Sequence, residues 1–179
     1  KGKLEGAGAR VVLSRQCDET ISSRKTRVDL AVEQCNNLAG RKCDALVSVH
    51  HNGNTDTSHN GMLVIYNEKQ DIPLATALHD KLLETLFNND STYDEGYLHG
   101  GFGMTVYDHL ISVLTESYYI TNSNEAANYL SGTSSAICTN QDGSLYSVLL
   151  GERINQEADA LYQGLFNYFS TPPKKPGRK

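Results

Sequence analysis

Two apolar runs in this chain each end in a side chain able to do chemistry. Ala45-Leu46-Val47-Ser48-Val49 delivers His50, and Ile111-Ser112-Val113-Leu114-Thr115 delivers Glu116. A neutral imidazole binds metal ions or accepts protons near neutral pH. A carboxylate at the end of an apolar run is expected to be buried, and a buried carboxylate needs a partner or a metal nearby. His51 is turned to the opposite face by strand alternation and reads as a non-ligand. Asn52, in the loop mouth, either orients substrate or holds the turn.

Strands covered on both faces have this apolar, β-branched composition, and in open α/β sheets ligands bind beyond the carboxyl ends of such strands. The ends carrying His50 and Glu116 are therefore expected to face each other. Residues 9–14 read as an earlier strand. Residues 23–39 show helical spacing of Val28, Ala31, Val32, Cys35 and Leu38, with Ser22 or Ser23 as N-cap and Gly40 as terminator. Strand, helix and the 45–50 strand form a βαβ unit with parallel pairing. Further along, 62–66 reads as a strand, and Ala75, Leu78, Leu82 and Leu86 mark a helix entered through Pro73. The polar segment 88–103 leads to a short strand near 102–106. Asn122 and Glu125 have capping-box form and start a helix through Tyr129. Residues 131–144 read as an irregular loop, and 145–169 as a last helical element with Ile154, Ala158, Leu161, Leu165 and Phe169 on one stripe. The expected fold class is α/β, a three-layer αβα arrangement with a mostly parallel or mixed sheet and helices on both faces. One domain over 1–170 precedes a Pro- and Lys-rich tail or linker at 171–179.

With 179 residues, 39% hydrophobic and 21% charged, the chain can bury a core of its own. A net charge of -5 gives no electrostatic basis for a nucleic-acid partner, and no apolar run approaches the roughly 20 residues of a membrane span. Cys17, Cys35, Cys43 and Cys138 form no C-x-x-C motif; two disulfides in an oxidising compartment and buried thiols both remain open. His59, His79 and His109 read as solvated or structural. The chain starts at Lys1 without a methionine, as expected of a processed or excerpted piece.

Four stretches, in order, resemble the zinc-dependent N-acetylmuramoyl-L-alanine amidases that cut bacterial peptidoglycan. Gly8-Ala9-Arg10-Val11-Val12-Leu13-Ser14-Arg15 is similar to the family's strand ending in Leu-Thr-Arg, and Ser23, Arg27 and Ala31 match its next helix. Cys43-Asp44-Ala45-Leu46-Val47-Ser48-Val49-His50-His51-Asn52 resembles the stretch that supplies a zinc ligand, and Val113 to Glu125 the stretch that supplies the catalytic glutamate. The resemblance implies His50 as a zinc ligand, Glu116 as the acid–base residue and peptidoglycan as the substrate. It also implies a site of action outside the cytoplasm: extracellular, periplasmic or in the cell wall.

The family's other two zinc ligands, a histidine and a glutamate, lie upstream of the 9–14 stretch and are not in this sequence. An N-terminal fragment or a longer native chain is expected to complete the site. The alternatives are an inactive amidase-like domain serving as a cell-wall-binding or assembly module, and another zinc hydrolase on a similar scaffold, such as a carboxypeptidase.

Overall fold

The computed structural model describes residues 1–132, 134–140 and 142–171. A short helix, α1 (Gly2–Gly6), is tied to the last helix by an ion pair between Lys3 and Asp159. Residues 9–14, expected to be a strand, join no ladder. The backbone there has no neighbouring strand to pair with, and Arg10 instead donates through Nη1 to the carbonyl of Leu38 at 2.9 Å. The predicted βαβ unit therefore lacks its first strand.

Helix α2 (Arg24–Ala39) forms as expected. The Ser23 hydroxyl accepts from the Thr26 N–H, and Gly40 ends the helix at φ 69°, where the absence of a Cβ removes the steric cost. Strands β1 (Leu46–Asn52) and β2 (Met62–Tyr66) follow, then helix α3 (Ile72–Phe87) with Pro73 in its first turn. The expected short strand at 102–106 is a set of turns; strand β3 (Asp94–His99) takes its place earlier in the chain. Strand β4 (Ser112–Tyr119) runs past Glu116 for three residues.

Helix α4 (Ser123–Leu130) starts at Asn122, whose Oδ1 accepts from the N–H groups of Asn124 and Glu125. Glu125 does not return the bond as a capping box requires, because its carboxylate is engaged by Arg153. Residues expected to be an irregular loop contain strand β5 (Ser134–Thr139), paired antiparallel with β6 (Leu145–Leu150) in a separate two-stranded sheet. Helix α5 (Glu152–Ser170) begins later than predicted. The tail predicted over 171–179 lies outside the described residues beyond Thr171.

The main sheet has the order β1-β4-β2-β3, with β1–β4 and β2–β3 parallel and β2–β4 antiparallel. It is thus mixed, and helices cover both faces. On one face α2 packs Val28 and Ala31 against Leu46 and Leu110. On the other, Leu74, Leu78 and Leu82 of α3 and Ala160 of α5 pack against Met62, Val64 and Val113. Helices α3 and α5 meet closely at Gly164, where an added Cβ would lie 2.8 Å from the carbonyl oxygen of Ala77.

The buried stripe of α5 is Arg153, Glu157, Ala160 and Gly164, about one residue round the helix from the apolar stripe predicted. Ala158 and Phe169 are exposed. Paired charges make this possible: Arg153 forms a two-point salt bridge with Glu125, Nε to Oε2 at 2.8 Å and Nη2 to Oε1 at 2.6 Å. Disulfides Cys17–Cys138 and Cys35–Cys43 use all four cysteines.

Candidate active site

In the β1–β4 ladder His50 lies directly opposite Glu116. Register partners on neighbouring strands point to the same face, and neighbouring strands run roughly 4.8 Å apart. Leu46, two alternations before His50, packs against α2, so both side chains belong to the α2 face. The ends carrying the two residues do face each other.

Beyond this pair the register slips. β1 advances two residues, from His50 to Asn52, while β4 advances three, from Glu116 to Tyr119. The extra residue is a bulge, a device that re-aims side chains near strand ends. Tyr118 is turned into the core beneath α3 and α5, where its ring stacks on His51 with centroids 4.3 Å apart. His51 sits opposite His50, as alternation required, and its Nε2 lies 2.9 Å from Oε2 of Glu157.

The loops beyond the strand ends are stitched together. The Ile120 N–H donates to the Asn52 carbonyl at 3.0 Å, and the Asn54 N–H to Oγ1 of Thr121 at 2.9 Å. Asn122, while capping α4, donates through Nδ2 to the carbonyls of Thr57, Ser58 and His59, each at 3.2 Å. One side chain thereby fixes both a helix start and the loop that walls the site. Asn52 lies at this mouth, where its Oδ1 accepts from the N–H of Gly53 at 2.8 Å.

The two site residues are shifted in opposite directions, each toward its neutral form. Burial raises the Glu116 carboxyl above the ordinary glutamate value, with His51 partly offsetting it. Oε2 of Glu116 is buried and has no hydrogen-bond partner among the described residues. His50 is held below the ordinary imidazole value, first by desolvation and then by repulsion from Arg27, His51 and Arg15. Its Nε2 lies 3.0 Å from Oγ of Ser48. A neutral imidazole beside a proton-hungry carboxylate can bind a metal ion or pass a proton.

Other histidines pair with protein groups: His79 with Asp94 at 2.8 Å, His59 with Glu95 at 2.7 Å and His109 with Glu68 at 2.8 Å. His99 meets the carbonyl of Asn67 at 2.9 Å. Among the described residues no three His, Cys, Asp or Glu side chains converge as a metal cage. His50, held toward the neutral imidazole, is a donor of the type that zinc takes.

The sequence profile of the N-acetylmuramoyl-L-alanine amidase family matches residues 1–141. The chain belongs to this family. Among curated proteins it is 30% identical over 125 residues to the N-acetylmuramoyl-L-alanine amidase LytC of Bacillus subtilis, covering 70% of this chain and 24% of that protein. The chain therefore spans about a quarter of that relative's length. Among solved structures, the amidase AmiC2 of Nostoc punctiforme matches at TM-score 0.71 and 23% identity, covering 95% of this chain and 78% of its own. The catalytic domain of CwlV from Paenibacillus polymyxa matches at 0.65 and 22% identity, with 93% and 79% covered. The likeness to these structures establishes a shared fold, and the expected α/β class with it.

The sequence reading missed the charges on the buried face of α5. Arg153 and Glu157 are four residues apart and in step with Ala160 and Gly164, a spacing that carries the signal once the face is known. Asp71 was missed as well. Fully buried, it accepts from the N–H groups of Asn67, Glu68 and Ser112 and so joins the end of β2 to the start of β4.

Proposed function

We propose that residues 1–170 form a peptidoglycan amidase domain that hydrolyses the amide between N-acetylmuramic acid and the L-alanine of the stem peptide. The observation that carries the reading is the register of His50 opposite Glu116, on one face, at the carboxyl ends of parallel strands. Glu116 takes the proton of the attacking water and returns it to the leaving amine, a role that a carboxyl raised by burial suits. His50, held toward the neutral imidazole, would hold zinc. Zinc, when bound, polarises the amide carbonyl and acidifies the water. Asn52, at the mouth, contacts substrate.

Action in the cell wall or another extracellular or periplasmic setting accords with two disulfides, which persist in oxidising compartments. No helix among the described residues is long and apolar enough to cross a membrane. The deciding experiment compares Glu116→Gln with the wild-type protein on purified peptidoglycan, following the release of peptides with a free L-alanine amino group and the bound zinc. The variant is expected to lose activity by roughly 10²- to 10⁴-fold while keeping its zinc. Turnover that survives would remove Glu116 from the mechanism. Absence of both zinc and turnover in the wild-type protein would overturn the amidase reading.

A further inference from the structure

A cavity of about 590 Å³ opens between the first turn of α2 and the glycine-rich turns after β3. Arg24, Lys25 and Arg27 line one side; Gly101, Gly103 and Tyr107 are among the residues lining the rest. Three cations and no carboxylate face this space, in a chain whose net charge is -5.

The cations are not equally committed. Lys25 is held by both carboxylate oxygens of Asp29 at 2.7 Å. Arg24 has no ion pair among the described residues. Arg27 gives Nη2 to the Ile21 carbonyl at a long 3.4 Å, and its Nε is buried without an acceptor. A buried guanidinium N–H left unpaired costs free energy until something accepts from it, and the planar fork of arginine matches a carboxylate. The far wall is closely packed: a Cβ at Gly101 would lie 2.9 Å from Val106 Cγ1, and one at Gly103 2.9 Å from Leu114 Cδ1.

The cavity shares its face with the candidate site: Gly103 packs on Leu114, which precedes Glu116 by two residues on the same face of β4. In an N-acetylmuramoyl-L-alanyl peptide the lactyl carboxyl is consumed in the scissile amide, and the hydroxyls and acetamides of the sugar are neutral. Carboxylates near the reacting bond therefore sit on the peptide.

Resting on the amidase reading above, we infer that this cavity takes a free carboxylate of the stem peptide, held by Arg24 and Arg27. The substrate class is thereby narrowed to stems whose carboxyl groups close to L-alanine are not amidated.

The test uses N-acetylmuramoyl-L-alanyl-D-glutamate with its carboxyl groups free or amidated. Binding to the full chain carrying Glu116→Gln is measured by calorimetry, and kcat/KM with the zinc-loaded protein. The free acid is expected to bind and react better by roughly tenfold or more, the usual size for a hydrogen bond to a charged group. Arg24→Gln, an exposed position, should cut that preference several-fold, and Arg27→Gln likewise if its thermal melt shows that it folds. Equal handling of acid and amide by the wild-type chain overturns the subsite while leaving the amidase reading intact. A preference that survives in Arg24→Gln also overturns it. Competition by a glycerol-phosphate polymer, with no discrimination between the two peptides, would assign the cavity to phosphate instead. Failure to cleave either peptide overturns the amidase reading, and the subsite with it.

Discussion

Replacing Arg153 with alanine should be among the most damaging single substitutions in this chain. Its side chain is 6% exposed and that of its partner Glu125 is 4% exposed. Two hydrogen bonds join them, a third runs from Nη1 to the Leu86 carbonyl at 3.0 Å, and the guanidinium lies 5.2 Å from the centre of the Phe87 ring and 5.3 Å from that of Tyr118. Truncation leaves a buried carboxylate with, among the described residues, only the Asn60 amide, at 3.0 Å, as a side-chain hydrogen-bond donor. Breaking a buried pair from one side costs about 3–5 kcal/mol. At about 2–4 °C per kcal/mol for a chain of this size, the melting temperature should fall by about 6–20 °C. Urea unfolding followed by circular dichroism gives the free energy, and an unchanged slope would show that the unfolded state is the same. The double variant Arg153→Met with Glu125→Leu should recover much of the loss, since no lone charge is left behind. A single-variant cost below about 1 kcal/mol, typical of exposed pairs, would refute the account of α5 as a helix held by a buried charge pair.

Further outcomes follow from the site and the cross-links. Because burial raises the Glu116 carboxyl, the acid limb of a kcat/KM profile should lie above the ordinary glutamate range of about 4.3. The folded state also holds that proton more tightly than the unfolded chain, so stability falls as pH rises through the raised value. Glu116→Gln should remove this fall, as urea titrations at about pH 4 and pH 7 would reveal. The His50 contribution has the opposite sign: its lowered value adds stability that is lost as pH drops below about 6.5. The Cys17–Cys138 bridge spans 121 residues and Cys35–Cys43 spans 8, so loop-closure entropy predicts losses of about 4.9 and 2.5 kcal/mol on removal. Thermal melts of the two Cys→Ser double variants that gave the reverse order would show that the native state, not the unfolded chain, feels the longer bridge.

Legibility in the sequence followed the range of the forces involved. Ser23, one of the two N-caps the sequence offers, and Gly40, the terminator it offers, bracket α2 through local chemistry. The apolar runs 45–50 and 111–116 announced two central strands, and their polar ends announced the chemistry. What depended on distant partners was hidden. Residues 9–14 have strand composition and no strand beside them. Strands β5 and β6 pair antiparallel, yet their outer positions, among them Ile137 at 65% and Leu145 at 70% exposure, lack the burial that normally betrays a strand. The α5 stripe was misplaced because Arg153 and Glu157 look like surface residues until Glu125 and His51 are seen opposite them. The bulge that turns Tyr118 away from the face of Glu116 leaves no local mark, since it arises from the pairing of two strands.

The bridge between Cys17 and Cys138 makes most of this polypeptide a covalent ring. Inside that ring lie α2, the four strands of the main sheet, α3 and α4, and with them His50 and Glu116. A protease that nicks the exposed loop after Asn52 severs the chain without releasing a fragment. The two ends stay joined the long way round, and each retains a strand of the β1–β4 pair. Single cuts are thus converted from losses of material into changes of connectivity, a form of durability that depends on the bridge remaining oxidised.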